Sequence, residues 1–236
     1  MSIFLGIIIV ATGLLALYWI FYGQRKYNEI FAPKKEVELK AVLFDLDGVL
    51  IDSFDAWHNV FNDLRKNIDL KPISKEEFKK AAWGGFATKK SRKYLNYKEI
   101  TDFKEEYSKS AEKHIKNVKL MPGAREIIQK VKDKKLKVGL VTNTLRAQAD
   151  EILDRLEIKS SFDSIVAGGD AARLKPYPDP VIKLCQNLGV EPQEAILVGD
   201  TQNDYKAGKS AGCVVVGFNM KGDLMISTLE DLEQLL

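Results

Sequence analysis

The chain has 236 residues, 45% hydrophobic and 29% charged, which is long enough for one well-packed core and a smaller module. Its formal net charge is only +3, with both signs interspersed, so the sequence predicts no nucleic-acid-binding groove. The two cysteines, Cys185 and Cys213, lie in apolar surroundings, and we expect reduced core residues rather than a disulfide or a metal pair.

An uncharged apolar segment comes first in the chain. Residues 3–22 are dominated by aliphatic and aromatic side chains, and about twenty such residues match a bilayer-spanning helix. Tyr18, Trp19 and Tyr22 lie at its end, where aromatic rings favour the membrane interface. We therefore expect a transmembrane anchor over residues 1–23, with a cleaved signal peptide and a buried core helix as the alternatives.

Basic residues follow the apolar segment and none precedes it; they are Arg25, Lys26, Lys34 and Lys35. The positive-inside bias then predicts a single-pass membrane protein whose N-terminus lies outside and whose remaining chain is cytoplasmic. The lipid bilayer is thus an expected partner. Residues 24–39 are polar and contain Pro33, so we interpret them as a juxtamembrane linker.

The first predicted strand ends in two carboxylates. Residues 41–44 favour a strand and run into Asp45, Asp47 and Gly48. Alternation along a strand puts the two acids on one side, and Gly48 lets the backbone turn away. Carboxylates at the end of a buried strand are unfavourable unless a cation or other partner neutralises them, so this stretch predicts a functional site.

Residues 53–119 show helical periodicity and no convincing strand, which predicts an all-helical insert, here called the cap. Its markers are an apolar face, a capping box at Ser74–Glu77 and a long helix ending near Val118. A glycine-containing stretch interrupts these helices: Trp83, Gly84, Gly85 and Phe86. We interpret it either as a loop that closes over the substrate's leaving group or as an interhelical turn with two core aromatics.

Strand and helix signals alternate from residue 120 to residue 236. Strands are predicted over 137–142, 164–167, 195–199 and 213–217, and helices from about 124, over 145–156, 179–188 and 205–211, and after 227–230. This alternation predicts an α/β fold, a Rossmann-like doubly wound parallel sheet formed by residues 40–52 and 120–236, into which the cap is inserted.

Polar residues follow the predicted strands at their carboxyl ends, where ligands bind in such sheets. They are Thr142, Asn143, Lys175, Asp200 and Asp204. With the first motif they would place four carboxylates and one ammonium in a single crevice, which predicts a hard divalent cation such as Mg²⁺ and a phosphoryl ligand. Two plainer interpretations stay open: Thr142 ends a strand, and Asp204 responds to a helix dipole.

On four motifs in this order, the chain resembles the haloacid dehalogenase-type phosphatases, in particular their phosphoglycolate-phosphatase-like branch with a helical cap. The motifs are Asp45–Leu50, Val141–Asn143, Lys175–Pro176 and Gly199–Asp204, and the resemblance covers about residues 40–236. An acid at position 47 favours phosphoryl chemistry, because the dehalogenase branch lacks one there.

The resemblance implies that Asp45 is the nucleophile and forms an aspartyl-phosphate. Asp47 would protonate the leaving alcohol, later deprotonate water, and place its backbone carbonyl on the metal. Asp200 would bind Mg²⁺ alongside Asp45, and Asp204 would assist through water or a hydrogen bond.

The phosphoryl group would be held by Thr142 and the amide of Asn143, and Lys175 would neutralise both it and Asp45. We therefore expect an Mg²⁺-dependent phosphatase acting on a small phosphorylated molecule, tethered to the membrane and facing the cytoplasm. A phosphosugar mutase of the same branch and a non-catalytic membrane-bound scaffold are the alternatives.

Overall fold

The computed structural model describes residues 37–85, 89–96 and 103–236. The predicted transmembrane anchor and nearly all of the predicted linker lie outside these residues. No helix within the three described ranges combines the length and the apolar character that a membrane crossing requires.

The strands, in chain order, are β1 (Ala41–Phe44), β2 (Ile51–Asp52), β3 (Lys119–Leu120), β4 (Lys137–Leu145), β5 (Ser164–Gly168), β6 (Ala195–Gly199), β7 (Val214–Phe218) and β8 (Leu224–Ile226). In the described part of the chain, six of them form one sheet in the order β5-β4-β1-β6-β7-β8. Every neighbouring pair in it is parallel.

The α-helices are α1 (Phe54–Lys66), α2 (Lys75–Ala81), α3 (Lys89–Leu95), α4 (Phe103–His114), α5 (Ala124–Asp133), α6 (Arg146–Arg155), α7 (Asp179–Leu188) and α8 (Gln202–Ala211). Short 3-10 helices cover Ile115–Asn117, Lys159–Ser161, Pro192–Glu194 and Glu230–Leu235.

Apolar clusters lie on both faces of the sheet, because side chains alternate along the completely buried β1. Val42 and Phe44 pack in one cluster with residues of α5, α6 and the cap. Ala41 and Leu43 pack in the other with residues of α7 and α8. Helices therefore cover both faces, and the predicted Rossmann-like doubly wound fold is confirmed. Cys185 and Cys213 are buried free thiols of the second cluster, as predicted.

A two-stranded antiparallel sheet, formed by β2 and β3, lies where the cap leaves and rejoins the sheet domain. In it Ile51 pairs with Leu120 and Asp52 with Lys119, antiparallel. The expectation of a strand-free insert is therefore wrong at its last residue, Lys119. Strands of two residues are too short for alternation to reveal them in the sequence.

The rest of the described cap consists of helices joined by turns and loops, and the local signals that the sequence predicted for it are present. Trp57, Val60, Phe61 and Leu64 form the buried face of α1. The capping box of Ser74 and Glu77 is formed at the start of α2. The long helix ends at His114 rather than near Val118, because a 3-10 turn over Ile115–Asn117 follows it.

Several predicted boundaries shift along the rest of the chain. β4 continues to Leu145. α8 begins at Gln202, with Thr201 as its N-cap, and its first turn is too polar for the helical periodicity to show it in the sequence. The terminal helix is a 3-10 helix. β8 was not predicted, since it has only three residues, two of them exposed.

Candidate active site

The site forms where three neighbouring strands end. β1 lies between β4 and β6, and Phe44 is in register with Leu140 on one side and Val198 on the other. Because all three strands run parallel, the residues that follow them emerge at the same edge of the sheet. Motifs that are far apart in the sequence therefore meet around Asp45.

Asp45 is buried, with 5% of its surface exposed. Its Oδ1 accepts a hydrogen bond from the backbone N–H of Leu46 at 2.7 Å and lies 2.8 Å from Lys175 Nζ. Burial and the negative charge of Asp204 raise the pKa of Asp45 well above its usual range, although Lys175 opposes this shift. The carboxylate therefore needs further positive charge to stay ionised.

Lys175 connects the acids. Its ammonium, only 2% exposed, lies 2.8 Å from Asp45 Oδ1 and 2.5 Å from Asp204 Oδ1, and it donates to the carbonyl of Val141 at 2.9 Å. Burial disfavours its charge, but the carboxylates of Asp204 and Asp45 outweigh burial and raise the pKa of Lys175. The side chain is thus a fixed cation with three acceptors.

Asp200 has one oxygen that is satisfied and one that is not. Its Oδ2 accepts a hydrogen bond from Trp83 Nε1 at 2.8 Å, whereas its buried Oδ1 has no hydrogen-bond partner in the described part of the chain. Burial and the nearby charge of Asp204 raise the pKa of Asp200 to about 7. A buried oxygen without a donor indicates a missing positive partner.

Asp45, Asp200 and Asp204 each present a carboxylate oxygen within 4.8 Å of the others. Three carboxylates whose oxygens lie this close, one of which also carries the unpaired oxygen of Asp200, suit a hard divalent cation such as Mg²⁺. The donor set therefore fits the predicted metal.

Asp204 is completely buried and serves its own helix as well as the cluster. Its Oδ2 accepts hydrogen bonds from the backbone N–H (3.1 Å) and the hydroxyl of Thr201, which forms a capping box at the start of α8. Its Oδ1 contacts Lys175. Because protein donors contact both oxygens of Asp204, this carboxylate is suited to holding the other members of the cluster in position.

Asp47 lies among neutral donors instead. Its Oδ1 accepts from Ser53 Oγ at 2.7 Å and from Trp57 Nε1 at 2.5 Å, both on the cap side. Its Oδ2 accepts from Thr144 Oγ1 at 2.6 Å and, at 3.4 Å, from Thr142 Oγ1. Four donors therefore hold this carboxylate, counted over the residues that the structure describes.

None of these four contacts with Asp47 was anticipated from the sequence, in which Thr142 was assigned to the phosphoryl group and Ser53 was only the first residue of the predicted cap. Trp57 was assigned only to the apolar face of α1, because nothing local shows that its indole N–H reaches a carboxylate. Thr144 stands two residues after Thr142, and the alternation of side chains along β4 was the signal that could have found it.

The side chain of Asn143 forms hydrogen bonds with two neighbouring segments. Its side-chain Nδ2 donates to the carbonyls of Gly84 at 2.7 Å and Lys175 at 2.9 Å, and its Oδ1 accepts from the Lys175 backbone N–H at 2.9 Å. The side-chain amide therefore joins the cap to the lysine loop and is not aimed at a ligand.

The glycine-containing cap loop lies against the sheet domain at this site. Gly84 accepts the hydrogen bond from Asn143, and a Cβ on Gly85 would come within 3.0 Å of Asn143 Nδ2. Phe86, the last residue of the predicted loop, lies outside the described residues. A cavity beside Asp45 and Asp47 is bounded mostly by apolar side chains: Trp57, Ala82, Trp83, Phe103, Tyr107, Leu145 and Leu174.

Comparisons with known proteins agree with this arrangement. Residues 42–218 match the family model for haloacid dehalogenase-like hydrolases. The chain is 34% identical over 180 residues to the phosphoglycolate phosphatase of Aquifex aeolicus, covering 74% of this chain and 82% of that protein. It is 29% identical over 223 residues to that of Chromobacterium violaceum, covering 84% and 96%. A crystal structure from Haemophilus somnus, described as a predicted phosphoglycolate phosphatase, has a TM-score of 0.74 at 25% identity and covers 85% of this chain and 99% of its own.

Proposed function

This chain belongs to the haloacid dehalogenase-like hydrolases, and on that premise we propose that it is an Mg²⁺-dependent phosphatase of small-molecule phosphate monoesters. The observation that carries the proposal is the buried cluster in which Asp45 lies 2.8 Å from Lys175 and presents a carboxylate oxygen within 4.8 Å of one from Asp200, a residue that also has an unpaired buried oxygen. Nothing in a purely structural core requires so many buried charges in one place.

In the proposed reaction, a carboxylate oxygen of Asp45 attacks the substrate's phosphorus. A new O–P bond forms, the bond from phosphorus to the alcohol oxygen breaks, and Asp47 acts as the general acid that gives a proton to the departing oxygen. The hydrogen bonds to Asp45 Oδ1 fix the orientation of the carboxylate before attack.

The second half of the reaction returns the enzyme to its starting state. Asp47 takes a proton from a water molecule, and that water attacks the phosphorus of the aspartyl-phosphate. The bond between phosphorus and Asp45 then breaks, which releases inorganic phosphate. The four donors around Asp47 support this assignment, because they hold the carboxylate beside the cavity.

The phosphoryl oxygens would be bound by the hydroxyl of Thr142, the backbone N–H of Asn143 and the charge of Lys175. We assign the backbone group of Asn143 because its side-chain amide is already hydrogen-bonded to Gly84 and Lys175. Thr142 is suited to the role by its position at the common edge of the strands and by its burial.

Mg²⁺ would be held by Asp45, Asp200 and the backbone carbonyl of Asp47, with Asp204 assisting through water or through a hydrogen bond. When bound, it supplies positive charge that reduces the repulsion between a carboxylate nucleophile and a phosphate dianion. Lys175 contributes the same kind of charge from the protein itself.

The substrate we propose to test first is phosphoglycolate, because the two relatives described above are named phosphoglycolate phosphatases.

We further propose that residues 1–23 anchor the enzyme in the membrane with the catalytic part in the cytoplasm. The uncharged segment and the basic residues after it support this topology. Protease accessibility in sealed vesicles of known orientation tests it.

The direct test of the activity measures inorganic phosphate released by the purified chain from phosphoglycolate and from an aryl phosphate, with and without Mg²⁺. We expect release that depends on Mg²⁺ and falls at least about a thousandfold in Asp45→Asn. A sugar phosphate that is isomerised without net phosphate release would identify a mutase instead. Unchanged turnover in Asp45→Asn would contradict the assignment of the nucleophile.

A further inference from the structure

A side chain of the cap, Trp83, reaches the carboxylate cluster formed by Asp45, Asp200 and Asp204. Its Nε1–H donates to Asp200 Oδ2 at 2.8 Å, although the two residues are 117 positions apart. The next residue, Gly84, accepts hydrogen bonds from Asn143 Nδ2 at 2.7 Å and from Asn203 Nδ2 at 3.2 Å. The cap loop is thus attached to three residues of the sheet domain.

The indole is held firmly in this position. Its ring centroid lies 5.0 Å from that of Phe54 and 6.3 Å from that of Phe78. It also packs over Gly48, where a Cβ would lie 2.9 Å from Trp83 Cζ2 and 2.3 Å from Asp200 Oδ2. The glycine of the first motif therefore makes room for both the indole and the carboxylate.

The hydrogen bond decides which oxygen of Asp200 remains for a cation. A carboxylate is planar, so a fixed Oδ2 also fixes Oδ1, the buried oxygen without a partner in the described part of the chain. Without the indole donor, the group could rotate about its terminal bond, and a cation would first have to order it.

We propose that Trp83 is a positioning residue for the metal site, through which contact of the cap loop with the sheet domain and binding of Mg²⁺ favour each other. The inference rests on the proposed function, because it takes the carboxylate cluster as the place where Mg²⁺ binds. Thermodynamic linkage makes the effect reciprocal: if this contact tightens Mg²⁺ binding, Mg²⁺ strengthens the contact by the same factor.

The test measures Mg²⁺ binding to the full chain by calorimetry in the absence of substrate, for the wild type and Trp83→Phe. Phenylalanine keeps an aromatic ring but removes the N–H donor. A hydrogen bond to a charged group is strong enough that we expect the Mg²⁺ Kd to rise roughly tenfold. The control is Ser110→Ala, which removes a hydroxyl donor from Asp63, a carboxylate of the cap that is neither in the cluster nor a proposed metal ligand, and it should change the Kd by less than about twofold.

A second measurement follows the indole of the wild type itself. In the chain labelled with ¹⁵N-tryptophan, the indole resonance that is missing from the spectrum of Trp83→Phe should shift when Mg²⁺ is added to the wild type. The shift is expected because the carboxylate that accepts that N–H through Oδ2 would bind the metal through its other oxygen, Oδ1. A purely structural role would predict lower stability of Trp83→Phe without a change in Mg²⁺ affinity.

The outcomes separate the two proposals. If the wild type binds Mg²⁺ and Trp83→Phe binds it equally well, or if the Trp83 resonance does not move at saturating Mg²⁺, the inference is overturned while the proposed function stands. If the wild type binds no Mg²⁺, the proposed metal dependence fails and this inference fails with it.

Discussion

Two acids only two positions apart have opposite surroundings. Asp45 faces a lysine and two further carboxylates, whereas the partners of Asp47 are neutral hydroxyl and indole donors. The first environment favours a cation and a nucleophile, and the second holds a group that exchanges protons. The different roles of the two residues therefore follow from their neighbours.

At this scale Lys175→Met should be strongly destabilising. It leaves the buried acids Asp45 and Asp204 without their shared cation, and breaking such a pair reduces the free energy of unfolding by about 3 kcal/mol or more. Urea unfolding without Mg²⁺ measures the change. The control is Lys209→Met. Lys209 and its partner Asp223 are both partly exposed, so we expect the free energy of unfolding to change by at most about 1 kcal/mol. Equal midpoints for the two variants would show that Lys175 does not hold the cluster.

Thr144→Val tests the environment of Asp47. The substitution keeps the shape of the side chain but removes the 2.6 Å hydrogen bond to Asp47 Oδ2. We expect phosphate release to fall about tenfold in kcat, because proton transfer from a misplaced acid is slower. Thr228→Val, in an exposed turn, provides the control and should leave kcat unchanged. A kcat of Thr144→Val equal to that of the wild type would remove Thr144 from the mechanism.

Among elements, the adjacency of β4, β1 and β6 brings the motifs together, and close packing at their ends leaves no spare room. α8 begins so near β6 that a Cβ on Gly199 would lie 2.2 Å from the Cβ of Asp204. The turn after β1 is equally tight, since Gly48 has a φ of +79° and lies against Asp200 and Trp83. These glycines are needed for contact between elements, not only for turns.

Gly48→Ala should therefore reduce both stability and Mg²⁺ binding. Strain at positive φ costs about 1 kcal/mol, and the overlap with Asp200 Oδ2 displaces the proposed metal ligand. Gly189→Ala is the matched control, because Gly189 has a φ of +70° but nothing within 4 Å of a new Cβ. Calorimetry should show weaker Mg²⁺ binding for Gly48→Ala alone. Equal binding by both variants would mean that the space at Gly48 does not matter for the metal.

For the whole molecule, the raised pKa values of Asp45 and Asp200 connect stability to pH and to the metal. Folding favours the protonated form of Asp200, so its contribution to stability is complete below the unfolded pKa of about 4. That contribution is lost as the pH rises through the folded pKa of about 7. We expect bound Mg²⁺ to neutralise these carboxylates once they have lost their protons.

We consequently expect the rise in Tm caused by Mg²⁺ to be larger at pH 8 than at pH 5, where protons compete with the metal. Thermal unfolding with and without Mg²⁺ at the two pH values checks this. In Asp200→Asn the Mg²⁺-induced rise should be small at both. A rise that is independent of pH in the wild type would contradict the link between these carboxyls and the metal.

The sequence predicted those parts of the molecule that depend on local pattern. Strand ends and turn glycines follow from alternation and spacing. For this reason Asp45, Lys175 and Asp200 could be assigned to one crevice from the sequence alone. The contact of Trp83 with Asp200 could not be predicted, because it depends on how the cap packs against the sheet domain. The three-residue β8 and the two-residue strands β2 and β3 are too short to produce a pattern.

In the proposed reaction, the phosphoryl group is bound covalently to Asp45 before inorganic phosphate is released. The most direct test mixes the purified chain with phosphoglycolate and Mg²⁺, quenches the reaction in acid within milliseconds, and reduces any acyl phosphate with borohydride before peptide mass spectrometry. We expect the modification at Asp45, in the peptide that also contains Asp47, and none in Asp45→Asn. Continued phosphate release with Asp45 unmodified, or with the modification at another residue, would contradict the account.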